Sequence, residues 1–127
     1  MHYFSYSYYY FETGHFIKAL ENLNKIEYQL CTFKTDVKNT LLKIYYELDY
    51  FEQATSTIDT YKHFITNTNE IPDEYRDYHR KFVKIYNELL KAKMNKTGVE
   101  DKLLFNNEDS YPEKDWLMKK AKEITLF

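Results

Sequence analysis

Four histidines, one cysteine and a small group of carboxylates are the side chains here with the chemistry for catalysis or metal binding. His2, His15, His63 and His79 never fall at His-x-x-x-His or His-Glu-x-x-His spacing, which would set two imidazoles on one helical turn. Cys31 stands alone, which excludes an internal disulfide and a cysteine-rich zinc site and fits a reducing compartment. Glu70, Asp73, Glu74 and Asp77 lie close enough along the chain to raise one another's pKa, as general acid–base work requires. Acids also gather at the start of a helix, where they meet the positive end of its dipole. There is no glycine-rich phosphate loop, no nucleophile elbow and no evident base for Cys31. The expectation is a protein that is not an enzyme, with no catalytic residues, no cofactor and no metal.

The elements that would position these groups are announced by a repeat. The decapeptide Tyr10–Ala19 returns 35 residues later as Tyr45–Ala54, with Tyr, Glu, Phe and Ala at the same four places. A period of this length marks stacked helical hairpins. Composition agrees: only two Gly and two Pro disfavour a many-turned β architecture. Charged residues at 30% suit solvated helix faces, and 14 Tyr and 9 Phe fill wide gaps between helices. The 127 residues, with no Pro/Gly/Ser-rich linker, are read as one all-α domain.

Helical spacing sets the expected boundaries. Repeat 1 covers about residues 2–29: a first helix with Tyr3, Tyr6, Ser7 and Tyr10 on its inner face, a break at Gly14, and a second helix carrying Phe16, Ala19, Leu20, Leu23 and Ile26. Repeat 2 covers about 33–67. Its first helix begins near Thr35 or Asp36 and is lined by Leu41, Leu42 and Tyr45; Asp49 stands in Gly14's place, and Phe51, Ala54, Ile58 and Tyr61 follow. A third first helix, about 72–94, repeats residues 41–48 at 82–89, an offset of 41 that places six extra residues within Thr66–Asp73. Pro72 belongs near its start. A C-terminal cap covers about 98–127, where Ser110 and Glu113 form a capping-box pattern ahead of Trp116, Leu117, Ala121 and Ile124.

These positions resemble the tetratricopeptide repeat, whose second helix begins Gly-x-Tyr/Phe-x-x-Ala with apolar residues four and seven further on. Gly14-His-Phe-Ile-Lys-Ala19 with Leu23 and Ile26 meets that pattern, and Asp49-Tyr-Phe-Glu-Gln-Ala54 with Ile58 and Tyr61 meets it apart from the glycine. The spacings of 35 and 41 depart from the usual 34, and no proline ends a repeat. The resemblance implies a right-handed α-α superhelix of antiparallel helix pairs, its concave face lined by the first helices, and a role as a protein-binding scaffold.

Carried onto this chain, the family's groove positions are Phe4, Tyr8, Phe11 and Glu12, then Asn39, Lys43, Tyr46 and Glu47, then Arg80, Lys84, Asn87 and Glu88. Asn39, Lys43, Arg80 and Lys84 would form a basic strip for a carboxylate-bearing partner peptide or protein, with Tyr8, Phe11 and Tyr46 packing its side chains. The aromatic run of the first helix supplies an alternative: self-association into a homo-oligomer through Phe4, Tyr8 and Phe11. A third reading is a regulatory helical domain of a larger protein. A capped C-terminus and an uncapped N-terminus are read as the C-terminal end of a longer array.

Charge and hydropathy set further expectations. Residues 1–79 carry 7 basic and 12 acidic side chains, and residues 80–127 carry 11 and 8, too weak a tilt for a nucleic-acid footprint. No stretch approaches the ~20 apolar residues of a membrane span, and no secretory signal is visible, so no membrane partner and a cytoplasmic location are expected. The sequon Asn95-Lys-Thr97 is read as a chance match. The Lys/Asn/Tyr/Ile-rich composition points to an AT-rich, bacterial genome.

Overall fold

The computed structural model describes residues 2–24, 31–98 and 110–125. Among them it is all-α, with helices α1 (His2–Glu12), α2 (Phe16–Asn24), α3 (Cys31–Leu48), α4 (Phe51–Asn67), α5 (Asp73–Asn95) and α6 (Lys114–Thr125). The chain forms two compact units, Met1–Asp59 and Thr60–Phe127, with α4 running through the boundary. Ile26 and the apolar piece Leu103-Leu-Phe105 lie outside the described residues.

In the first unit α1 packs on α2, and both touch α3. The α1–α2 hairpin closes on small residues, since Ser7 and Ala19 are both fully buried. Ser7 satisfies its hydroxyl by donating to the Phe4 carbonyl at 2.8 Å. The buried positions of α1 are therefore Ser7 and Phe11, with Phe4 half-buried; of the expected stripe Ser7 is buried, Tyr10 is half-buried and Tyr6 is exposed, while the side chain of Tyr3 lies outside the described ones. Tyr6, Tyr8 and Tyr9 each expose more than half their surface. Phenol hydroxyls are better served by water, so the Phe rings take the inside.

Both hairpins turn by the same device. At the end of α1 the His15 amide donates to the Tyr10 carbonyl (2.7 Å) and Gly14 to Phe11 (3.1 Å), with Gly14 at φ +82°. At the end of α3, Tyr50 donates to Tyr45 (2.9 Å) and Asp49 to Tyr46 (3.3 Å), with Asp49 at φ +59°. These are two Schellman closures, one with the residue type that favours a left-handed φ and one without it. The repeat in the sequence is thus a repeat of turn geometry, and Asp49 does stand where Gly14 stands. Lys96 ends α5 with φ +55° in the same way. Gly14→Ala is expected to cost about 1 kcal/mol from backbone strain alone, since an added Cβ would meet no atom within 4 Å. Lys96→Gly is expected to gain about 0.5–1 kcal/mol. Chemical denaturation of the two variants reads both signs.

Helix α3 begins at Cys31, ahead of the expected start at Thr35 or Asp36. Thr35 is buried, and Val37, Leu42 and Ile44 are fully buried; a side chain held inside is a poor opening cap, so the helix runs through it. Helix α4 buries Ala54, Ile58 and Tyr61 of the expected stripe, leaves Phe51 half-buried and extends the stripe to Ile65.

In the second unit Pro72 is the N-cap of α5, at φ −58° and ψ 142°, with Asp73 and Glu74 in the first turn where the dipole favours acids. Helix α5 buries Phe82, Val83, Ile85, Tyr86, Leu89, Leu90 and Ala92. Helix α6 packs on it: Leu117 and Ala121 are buried, and Trp116 stacks on Tyr86 with centroids 6.3 Å apart at 18°. The capping box at Ser110 does not open this helix, which begins at Lys114 with Glu113 left-handed (φ +59°) just before it. Tyr111 and Pro112 are buried, and their burial fixes the chain where the box would have needed helical residues.

Candidate functional site

The groove positions inferred from the repeat fall into two environments. In the first unit Phe11, Asn39, Lys43 and Tyr46 are buried, Phe4 is half-buried, and Tyr8 is exposed. Lys43, 5% exposed, holds its ammonium 4.6 Å from the centroid of Phe11, whose ring lies 5.3 Å from Phe16. The cation and the ring do come together, as an internal cation–π contact joining α3 to α1. These side chains are core because α3 is flanked by both α1 and α2.

Arg80 and Lys84 stand in the second unit, on the exposed side of α5. Asp77, Arg80, Lys81, Lys84 and Ile85 line one groove of about 350 Å³. Their numbers run i, i+3, i+4, i+7, i+8, which is one helical face. Ile85 is buried beneath it, while Asp77 and Arg80 pair at 3.0 Å with side chains 92% and 47% exposed. Lys81 is held by an aromatic ring, its Nζ 5.2 Å from the centroid of Tyr111, which Lys114 also approaches at 5.6 Å. The groove is an apolar floor with a cationic rim. Its ammonium and guanidinium groups are hydrogen-bond donors of the kind that meet an anionic group.

No family model, curated protein or solved structure matches the chain. The site therefore rests on its own geometry.

Asp77, Lys81 and Ile85 were absent from the inferred groove because that set was transferred from the repeat and not built from the helix itself. Stepping three residues back from Arg80 and Lys84 finds Asp77 and Lys81, and stepping four on from Lys81 finds Ile85. Lys43 and Lys84 are equivalent in the internal repeat yet end as core and surface, which no periodicity distinguishes. Among the described residues no three His, Cys, Asp or Glu side chains gather as metal ligands, and no helix is long and apolar enough to cross a membrane.

His79, on the opposite side of α5 from Asp77, is partly buried, and its Nδ1 is buried without a hydrogen-bond partner among the described residues. Its ring meets Tyr78 edge-on, with centroids 5.4 Å apart. Burial pushes its pKa below the ordinary 6.5 by penalising the charged form. The unfolded chain then takes up the proton first as pH falls, so the stability this group confers is full above about pH 6.5 and is lost towards its lower native value. His79→Phe is expected to flatten that part of the stability profile, read from melting temperatures at about pH 7.5 and about pH 5.5.

Proposed function

We propose that this chain is a non-catalytic, tetratricopeptide-like scaffold that binds an acidic partner segment on the outer face of α5. The observation that supports the reading is the groove itself, with Arg80, Lys81 and Lys84 around Ile85. A carboxylate meeting Arg80 gains a charge-assisted, forked hydrogen bond. An apolar residue one turn further along the partner packs on the aliphatic stems of Lys81 and Lys84 and excludes water from the pair. The helix holds these groups in fixed register, so most of the ordering cost falls on the partner.

The test is fluorescence anisotropy with a labelled peptide of alternating Glu and Leu, against the same peptide with Gln for Glu. The acidic peptide is expected to bind, more weakly in high salt, and the Gln peptide to bind at least tenfold more weakly, equivalent to about 1.4 kcal/mol. Joint Arg80→Glu and Lys84→Glu substitution is expected to abolish the preference. Equal binding of both peptides would sink the reading.

A second reading is supported by the exposed rings of Tyr6, Tyr8 and Tyr9, which give α1 an aromatic outer face of the kind that mediates homotypic contact. That face carries no charged pattern to orient a partner, so the α5 groove is the better-specified site.

A further inference from the structure

The charges along the exposed face of α5 are arranged in order, not merely mixed. Over residues 74–84, Glu74 and Asp77 come first, then Arg80, Lys81 and Lys84, so this stretch is acidic and then basic, with the half-buried Glu88 following beyond it. Glu74, Asp77, Arg80 and Lys84 are exposed and Tyr78 is at the margin of exposure; Lys81 borders them. A face that is negative and then positive along its axis is complementary to itself when reversed.

We propose that α5 pairs antiparallel with α5 of a second copy of this chain. A two-fold axis at the level of residue 79 sets Glu74 opposite Lys84 of the second copy and Asp77 opposite Lys81. Each contact then occurs twice, as a closed two-fold interface requires. Both kinds join opposite charges. The existing Asp77–Arg80 pair at 3.0 Å does not prevent this: an exposed pair within one helix is worth only a few tenths of a kcal/mol, so its members exchange partners readily. A single-helix contact lies at the small end of specific interfaces, so the dimer is concentration-dependent and sensitive to salt. The second copy supplies the same carboxylates as the acidic segment proposed above, so dimerisation and partner capture compete. The pairing nevertheless stands without any partner.

The experiment is sedimentation velocity on the full chain and on two single variants, Glu74→Lys and Lys84→Glu, each alone and then mixed in equal amounts. The wild type is expected to dimerise reversibly, and each variant alone to dimerise at least ~10-fold more weakly, because like charges then face one another across the axis. In the mixture the Lys at 74 of one chain meets the Glu at 84 of the other, and the second contact of that type keeps its native pair. Dimer is therefore expected to return only on mixing, which also proves that both variants are folded. A wild type that stays monomeric at every concentration overturns the pairing and leaves the peptide test above unaffected. Dimers that persist equally in both single variants, or singles that fail to recover on mixing, overturn it as well. If Tyr8→Ser then dissolves the persisting dimer, the contact belongs to the aromatic face of α1.

Discussion

Lys43→Glu is expected to lower stability by about 3 kcal/mol, whereas Lys84→Glu, at the equivalent place in the internal repeat, should change it by less than about 0.5 kcal/mol. The two lysines have the same sequence neighbours, Lys-Ile-Tyr, yet Lys43 is 5% exposed over Phe11 and Lys84 is exposed. Reversing the buried charge replaces an attraction to the ring face with a repulsion, and places a carboxylate where water cannot reach it. Reversing the surface charge changes only a screened interaction. Lys43→Met separates the two parts of the effect: it keeps the aliphatic stem against the ring and removes the charge, and should cost about 1 kcal/mol. Denaturant midpoints of the three variants decide the matter, with the first expected to melt roughly 10 °C below the wild type. Equal effects at positions 43 and 84 would show that Lys43 does not hold α3 to α1.

This pair also marks how far the sequence could be read. Helix spacing was legible wherever an element buries one stripe: α4, with Ala54, Ile58, Tyr61 and Ile65, lies as its pattern requires. The turn at Asp49 was legible because its neighbours repeat those of Gly14, and both turns close with the same bonds. The pattern fails where a helix is covered on more than one side. Helix α3 buries Thr35, Val37, Asn39, Thr40, Leu42, Lys43, Ile44 and Tyr46, which leaves no polar face to read as solvent. In α1, mixed Tyr and Phe made two rotations of the helix almost equal in hydropathy. Hydroxyl placement decided between them, and that is a property of the packed state. Of the proposed site, Arg80 and Lys84 are exposed on one face of α5, a placement their spacing allows, but the groove that joins them to Lys81 and Ile85 depends on the burial of Ile85. The capping box failed for a related reason, since Tyr111 is held inside by the fold and not by its local sequence.

Arg76→Ala is expected to destabilise the second unit by about 3 kcal/mol, although the sequence gives Arg76 no special role. It stands in the first turn of α5, just beyond the Thr66–Asp73 segment that the internal repeat marks as holding the insertion. It donates to the carbonyl of Ile65 and, at 2.7 Å, to that of Thr68, while its Nε reaches Asp73 at 2.8 Å. The last carbonyls of a helix have no partner within it, and Arg76 supplies donors to two of them or their neighbours at the end of α4. One side chain therefore closes α4 and ties that end to the first turn of α5. Its side chain is 16% exposed, so the carbonyls it leaves could be only partly rehydrated after truncation. Asp73, in contrast, is 95% exposed, and Asp73→Asn should cost less than about 0.5 kcal/mol. Arg76→Lys keeps the charge but loses the planar fork, so a single ammonium cannot reproduce both carbonyl bonds and should recover less than half of the loss. Hydrogen exchange supplies the local readout, since the Thr68 amide donates to Phe64 at 3.0 Å in the same turn. Its protection should fall in Arg76→Ala and stay unchanged in Asp73→Asn. If Arg76→Lys restored both the midpoint and the protection, charge near the helix end would be sufficient, and the two carbonyl bonds would not be what holds α4 to α5.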